Sequence, residues 1–187
     1  MQELDAAAVG DAVRHAANNL AMVILSNLDL LARAVPEDTP ASRQLARSRL
    51  AAERLLAVLV PYTRLEREPG LDLQRPEAVL RALLPLLQVV GGQSSPITFE
   101  AAAIQPVSLP RPALDQALVR WALALATEAP RGAARHIALE AGATGGVVIR
   151  LTPSPAGAVA ALVAAAQAGG GGTRVSAEEV ELWFPGG

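Results

Sequence analysis

The sequence lacks cysteine and lysine altogether, and both absences restrict what the chain can do. Without cysteine, disulfide bonds, zinc–thiolate sites and thiol catalysis are excluded, and a reducing compartment is permitted. All 16 basic side chains are arginine, and with 18 acidic side chains the net charge is −2. No basic surface is therefore available to hold a nucleic-acid backbone, and we predict no nucleic-acid partner. The exclusive use of arginine, with abundant alanine, is typical of a GC-rich bacterial genome.

A long apolar segment is also missing. Polar residues interrupt the apolar runs well short of the roughly 20 residues that span a bilayer. The first residues, MQELDAAAVGDAVRH, have neither the basic segment nor the apolar run of a secretion signal. We therefore expect a cytoplasmic protein that does not contact a membrane. With 187 residues, of which 51% are apolar, the chain can bury a sizeable core.

The first third of the sequence predicts two helices joined by the short segment AVPEDTP, residues 34–40, whose prolines end the first helix and whose Asp38 or Thr39 can cap the second. Apolar positions recur at alternating spacings of four and three, as in helices that pack against other helices. In the first helix they are Val13, Ala17, Leu20, Ile24 and Leu31, with Asn27 at the one polar place in the series. In the second helix the corresponding stripe is Leu45, Ser48, Ala52, Leu55, Leu59 and Tyr62. Two helices cannot cover both apolar faces alone, so we expect a four-helix bundle formed by two copies of the chain.

The remainder predicts an α+β sandwich. We expect three parts: a helical hairpin over 1–66, a linker over 67–76 that mixes charge with proline and glycine, and an α+β domain over 77–187. The predicted elements of that domain are helices at 77–90, 112–128 and 156–168, and strands near 96–109, 136–142, 146–152 and 173–185.

Several conspicuous residues of this second half receive structural interpretations. Trp121 and Trp183 lie on apolar stripes and are expected in the core. His136 opens a predicted strand without nearby ligand partners, so we expect a structural or incidental role. The four glycines 169–172 lack the Lys-Ser/Thr of a phosphate-binding loop, and they predict a helix stop and turn.

The first helix also presents a histidine that can react. At 100° per residue, His15 lies about 200° from Val13, and Asn19 lies one turn further along the helix. His15 should therefore face water. A solvated imidazole titrates near neutrality and is nucleophilic when neutral, so it can accept a transferable group. A surface histidine without a role is the alternative.

The segment HAANNLAMVILSNLDLL, residues 15–31, resembles the phosphoacceptor helix of bacterial two-component histidine kinases, especially hybrid kinases with H-D-x-N-N-L and a later N-L-x-L-L. The matching residues are His15, Asn18, Asn19, Leu20, Asn27, Leu28, Leu30 and Leu31. The resemblance implies that His15 is phosphorylated, and that the asparagine pair belongs to the same site, with Asn19 positioning the phosphoryl group or the partner's active site. Ala16 replaces the acidic residue that acts as a base in autophosphorylation, which argues against kinase activity.

The second half resembles the ATP-binding domain of these kinases in layout, but its chemistry differs. The position of the asparagine that binds magnesium falls on Ala124, and Arg120 stands at the preceding asparagine. The segment where the adenine-binding aspartate belongs contains no acidic residue, since none occurs from Ala141 to Ala177. We therefore expect that ATP is not bound in the kinase manner and that the chain has no cofactor of its own.

A histidine hairpin joined to an ATP-binding-like domain without an ATP site resembles the ChpT-type histidine phosphotransferases. This resemblance implies a homodimer in which His15 relays a phosphoryl group between the aspartates of two response-regulator receiver domains, which supply the magnesium. A hybrid histidine kinase is a further implied partner, and Arg14, Met22 and Ser26 are expected on the docking surface. The alternative is a dimeric scaffold or pseudo-kinase that is never phosphorylated, which Ala16 favours and the asparagine pair opposes. An active kinase would need ATP binding.

Overall fold

The computed structural model of the protein describes residues 6–92, 95–130, 132–142 and 145–186. Over these residues the chain has a mixed α+β fold with five helices and seven strands, divided into two compact units, Met1–Arg67 and Glu68–Gly187. The helices are α1 (Ala6–Ala34), α2 (Pro40–Thr63), α3 (Pro76–Val90), α4 (Ala113–Glu128) and α5 (Ala156–Ala168). The strands are β1 (Gly70–Gln74), β2 (Ile97–Ala101), β3 (Val107–Arg111), β4 (Arg135–Ala141), β5 (Val147–Thr152), β6 (Gly172–Val175) and β7 (Val180–Phe184).

The first unit is a hairpin of α1 and α2, and Thr39 begins its second helix. The Thr39 hydroxyl accepts a hydrogen bond of 3.1 Å from the Ser42 amide, and Pro40 occupies the first turn, where no amide hydrogen is needed. Of the two caps that the sequence allowed, Thr39 is therefore the one used. An ion pair of 2.6 Å between Arg49 and Asp29 ties α2 to α1. A hydrogen bond that Arg49 donates to Glu53, and then the charge of Asp29, raise the pKa of Arg49.

The apolar series predicted on α1 is largely uncovered within one chain. Its large members, Val13, Leu20, Ile24 and Leu31, are between 46% and 64% exposed. The buried side of α1 lies about a quarter turn away, at Ala21 with half-buried Leu25 and Leu28.

The predicted stripe on α2 divides into two sets, each with a spacing of seven. Leu45, Ala52 and Leu59 are half-buried, whereas Ser48, Leu55 and Tyr62 are exposed. Each helix therefore keeps an apolar face that one hairpin leaves uncovered.

The second unit places helices against one face of a five-stranded sheet with the order β2-β4-β5-β7-β6. Strand β2 pairs with β4 in parallel, and the other neighbours in this sheet are antiparallel. Alternate residues of the inner strands point into the core, including Ile137, Ile149 and Leu182, each at most 1% exposed. The prediction of an α+β domain with these three helices is confirmed.

We expected a linker over 67–76, and this prediction is wrong, because most of the segment forms strand β1. Strand β1 pairs antiparallel with β3 in a separate two-stranded sheet, and α3 follows directly at Pro76. The alternation of β1 is inverted, since Leu71 and Leu73 are exposed while Asp72 and Gln74 are half-buried. A polar, proline-flanked segment with outward leucines does not carry the usual pattern of a strand.

The predicted burial of Trp183 in the core is also wrong, because its side chain is 46% exposed. Along β7, Leu182 and Phe184 point inward, so Trp183 falls on the solvent face of the sheet. Trp121 is fully buried as expected, and its indole N–H donates a hydrogen bond of 2.9 Å to the Pro153 carbonyl.

The glycine run ends α5, as predicted. The Gly171 amide donates to the Ala166 carbonyl at 2.9 Å and the Gly170 amide donates to the Gln167 carbonyl at 3.0 Å. These two bonds form a Schellman motif, and Gly170 adopts the left-handed φ of +70° that the motif requires.

Arg135 is buried, with 4% exposure, at the start of β4. Its guanidinium donates hydrogen bonds to the carbonyls of Gly91 at 2.6 Å, Ser95 at 3.3 Å and Leu125 at 3.2 Å. Gly91 and Leu125 lie at the C-terminal ends of α3 and α4, and the Leu125 carbonyl also accepts a hydrogen bond of 3.3 Å from the Ala129 amide. One side chain therefore joins the ends of two helices to the sheet.

Candidate functional site

The candidate site lies on one open face of α1. His15 and Asn19 are exposed there, and Asn18 is half-buried. Met22 and Ser26 are also exposed, and at 100° per residue they lie within about 20° of His15 on the helix. The side chain of Arg14, expected on the same docking surface, lies outside the described residues.

The predicted apolar series lies on the opposite side of α1, and the exposed side chains of Val23 and Leu30 lie between the two faces. His15 lies about 200° around the helix from Val13, at the start of the series that includes Leu20 and Ile24. A second helix can therefore cover the apolar series while the imidazole stays accessible. Asn19 follows His15 by four residues, so its carboxamide lies one turn away on the same side. The arrangement places an imidazole and a carboxamide one turn apart on an exposed face of α1.

Ala16, directly after His15, is exposed and brings no carboxylate to that position. In the second unit, Ala124, where the resemblance to kinases expects a magnesium ligand, is buried. Its methyl group faces Gly157 at the beginning of α5. Arg120, at the other corresponding position, is exposed on α4. Neither residue type binds magnesium, which prefers oxygen ligands.

The N-terminus of α5 is occupied by a carboxylate from the same chain, which the sequence reasoning missed. The Gly157 amide donates to both carboxylate oxygens of Glu128, at 3.2 and 3.3 Å. A Cβ on residue 157 would collide with that carboxylate, so a side chain there would displace Glu128 from its present position. Helix N-termini attract anions, and here the attraction is satisfied internally. No local signal reveals a contact between residues 29 apart.

The groove between α4 and α5 is small and poor in polar groups. It has a volume of about 240 Å³ and is lined by alanines, Gln116 and Arg120. Among the described residues, no group of three histidine, aspartate or glutamate side chains comes together as metal ligands.

His136, the second histidine, lies on the outer face of the sheet. Its Nδ1 is 2.8 Å from the Thr98 hydroxyl oxygen. The same hydroxyl donates its hydrogen to the Arg135 carbonyl at 3.1 Å. Its Nε2 is 3.9 Å from a Glu100 carboxylate oxygen that is largely exposed. These contacts join β2 to β4, where Thr98 and His136 are register partners.

Comparison with known proteins gives likenesses of fold and none of sequence. No family model matches the chain, and no curated protein matches it. Its fold is similar to those of histidine kinase cytoplasmic domains and of a bacterial phosphotransferase.

Among these solved structures, the histidine kinase AdeS of Acinetobacter baumannii is 15% identical with a TM-score of 0.48, over 88% of this chain and 94% of that one. The cytoplasmic segment of the histidine kinase QseC is 13% identical with a TM-score of 0.42, over 80% of this chain and 98% of that one. The bacterial phosphotransferase is 15% identical with a TM-score of 0.39, over 98% of this chain and 97% of that one.

A helix that crosses a bilayer must be both long and apolar. Within the described part of the chain, no helix combines the length and the apolarity that crossing a membrane requires.

Proposed function

We propose that this chain is a phosphorelay histidine phosphotransferase. His15 receives a phosphoryl group from the aspartate of one receiver domain and passes it to the aspartate of a second. The observation that carries the proposal is the exposure of His15 and Asn19 together on a face of α1 that does not include its uncovered apolar series. Such a face remains open to a docking protein.

The transfer needs no base from this chain. The lone pair of His15 Nε2 forms a bond to phosphorus while the bond from phosphorus to the aspartyl oxygen breaks, and the carboxylate leaves with that electron pair. The proton on Nδ1 stays on the ring, so the step balances without a carboxylate at Ala16. Asn19 donates a hydrogen bond to a phosphoryl oxygen, and half-buried Asn18 lies beside it in the same site. Magnesium on the receiver stabilises the remaining charge.

The homodimer is part of this proposal. A second copy covers the exposed apolar positions of both helices, which recur at intervals of seven as in four-helix bundles. These positions are Val13, Leu20, Ile24, Leu31, Leu55 and Tyr62. Asn27 lies within the same series and fixes the register of the two copies, as buried polar residues do in such bundles.

A dimeric scaffold that binds a receiver without being phosphorylated is the second candidate. Ala16 favours it, because an acidic residue at that position would orient the imidazole through Nδ1. The two candidates bind the same partners and differ only in whether label reaches His15.

Phosphoryl transfer from labelled receiver domains of the same genome tests the proposal. Acid-labile label should appear on the wild type and on His136→Ala, and should be absent from His15→Ala. His136 is the matched control because it is the other histidine of the sequence and lies in the second unit. If a receiver binds the wild type but transfers no label to it, the relay is wrong and the scaffold is supported.

A further inference from the structure

Three arginines form a straight row along the outer side of α2. Arg43, Arg47 and Arg54 are all exposed, and Leu50, which is 46% exposed, lies between the last two. The intervals are four, three and four residues, so at 100° per residue the four side chains lie within about 60° of one another along about 16 Å of helix. Half-buried Ala52 lies about 140° to 200° around the helix from the three arginines. This arginine row therefore points away from the packed side of α2.

The arginine row has no carboxylate partner among the described residues. Arg43 donates a hydrogen bond of 3.1 Å to the backbone carbonyl of Asp38, and no ion pair in the described part of the chain involves Arg47 or Arg54. Residues three or four positions apart are neighbours on a helix, and none at those distances from the three arginines is acidic. The acidic residues nearest to this end of the row, Glu37 and Asp38, belong to the segment before α2.

Arg49 on the same helix shows the usual arrangement. It pairs with Glu53, four residues on, at 3.0 Å, and with Asp29 of α1 at 2.6 Å. Glu53 is the one acidic residue of α2, against four arginines, so the helix carries a net charge of +3 while the whole chain carries −2. Like charges four residues apart, as at Arg43 and Arg47, destabilise a helix. The arginine row is therefore a local positive surface that a set of external carboxylates would stabilise.

We propose that the arginine row docks an acidic helix of a partner protein. A straight row with intervals of four and three residues matches a second helix that lies alongside it, because carboxylates at the same intervals meet the guanidinium groups turn by turn. Arginine suits this role, since its planar guanidinium binds a carboxylate through two parallel hydrogen bonds. Leu50 accepts an apolar side chain in the middle of the contact.

A nucleic acid fits the row less well. Binding to a phosphate backbone depends on the number of phosphates neutralised, and three arginines on one short line supply few such contacts. The proposal does not rest on the relay at His15, so its failure would leave that function untouched.

A titration of the full chain, labelled with ¹⁵N, tests this surface by nuclear magnetic resonance. The probe is a synthetic alanine-rich helical peptide of about 20 residues, with glutamates at intervals that match the three arginines and a leucine to face Leu50. In the matched control peptide, glutamine replaces every glutamate. The acidic peptide should produce saturable shifts of arginine Nε–H signals, and its affinity should fall as salt is added. The glutamine peptide should bind at least about tenfold more weakly.

Two double variants locate the binding. The variant with both Arg47→Gln and Arg54→Gln should weaken binding of the acidic peptide about threefold to tenfold. The matched control combines Arg81→Gln with Arg174→Gln, which removes the same charge from positions in the second unit that are 64% and 80% exposed. This control should bind like the wild type. Thermal unfolding of each variant verifies that it is folded.

Five outcomes would overturn the proposal. Three concern the peptides: equal binding of the glutamine peptide, equal weakening in both double variants, or no saturation up to about 5 mM peptide. The fourth is tighter binding of a DNA oligonucleotide than of the acidic peptide, which would favour a nucleic acid. The fifth is loss of self-association in the variant with Arg47→Gln and Arg54→Gln, which would assign the arginine row to a second copy of the chain.

Discussion

At the scale of the residue, the chemistry proposed for this chain depends on two side chains of α1. His15 supplies the nucleophile, and Asn19 contributes a donor one turn away. The resemblance of the sequence motif predicted that these two residues belong to one site, and the periodicity of α1 predicted that they would face water. Because both residues are exposed, replacing either one should change reactivity more than stability.

Asn19→Ala should reduce the rate of phosphoryl transfer to His15 about tenfold to hundredfold. The lost group stabilises charge on the phosphoryl oxygens, and removal of one such donor has effects of this order or larger. Rapid-quench measurement of label on His15 gives the rate. Gln167→Ala, an exposed change on α5, should stay within about twofold of the wild type. An unchanged rate in Asn19→Ala would remove this residue from the site.

Arg135→Met should lower the free energy of unfolding by about 2–4 kcal/mol. The change removes the Arg135 donor from the buried carbonyls of Gly91 and Ser95, at about 1–3 kcal/mol each. The loss of the buried charge offsets part of that cost. Urea denaturation measures the difference. Arg120→Met, at an exposed position, should change stability by less than about 0.5 kcal/mol, and an equal loss in both variants would contradict this role.

At the scale of the element, helices were more predictable than strands and faces. The C-terminus of α5 and the N-cap of α2 follow from local rules on glycine, threonine and proline. Strand β1 was missed because its leucines face outward, which inverts the usual alternation. Trp183 was misplaced because a strand pattern shows that residues alternate but does not identify the buried side. The face of α1 that packs, at Ala21, Leu25 and Leu28, lies about a quarter turn from the predicted series, and apolar residues on both sides of that boundary hide the offset in the sequence pattern.

Glu128→Ala should destabilise the chain by about 1 kcal/mol, since the carboxylate satisfies the first turn of α5 and interacts with its dipole. Urea denaturation at low ionic strength measures the loss, which should shrink as salt is added. Glu100→Ala, at a more exposed position on β2, is the matched control and should lie within about 0.5 kcal/mol of the wild type. A loss that does not depend on salt would argue against the dipole interaction.

At the scale of the whole molecule, the uncovered apolar positions of α1 and α2 are the largest unexplained surface of the first unit. The spacing of seven between Val13 and Leu20, Ile24 and Leu31, and Leu55 and Tyr62 matches the seam of a bundle. The separation of this seam from His15 allows dimerisation and receiver docking at the same time. The sequence could predict the seam and its need for a partner, but the identity of the partner requires an association measurement.

Leu20→Asp should convert the dimer to a monomer, because a charge would be buried in the centre of the seam. Sedimentation equilibrium should report about half the mass of the wild type. Met22→Asp, at a similarly exposed position on the other side of α1, should keep the dimer mass. A wild type that sediments as a monomer at all concentrations would exclude the bundle.

The glycine run at 169–172 has a consequence for how this sequence can change over time. Residue 170 needs a left-handed backbone, and a side chain at 171 or 172 would strike Trp183. Neighbouring codons are thus under different structural constraints, and a side chain at any of these three positions would strain the backbone or displace Trp183. A run of glycines is easily taken for an unconstrained spacer. This run should nevertheless tolerate fewer substitutions than the alanines of α5 that precede it.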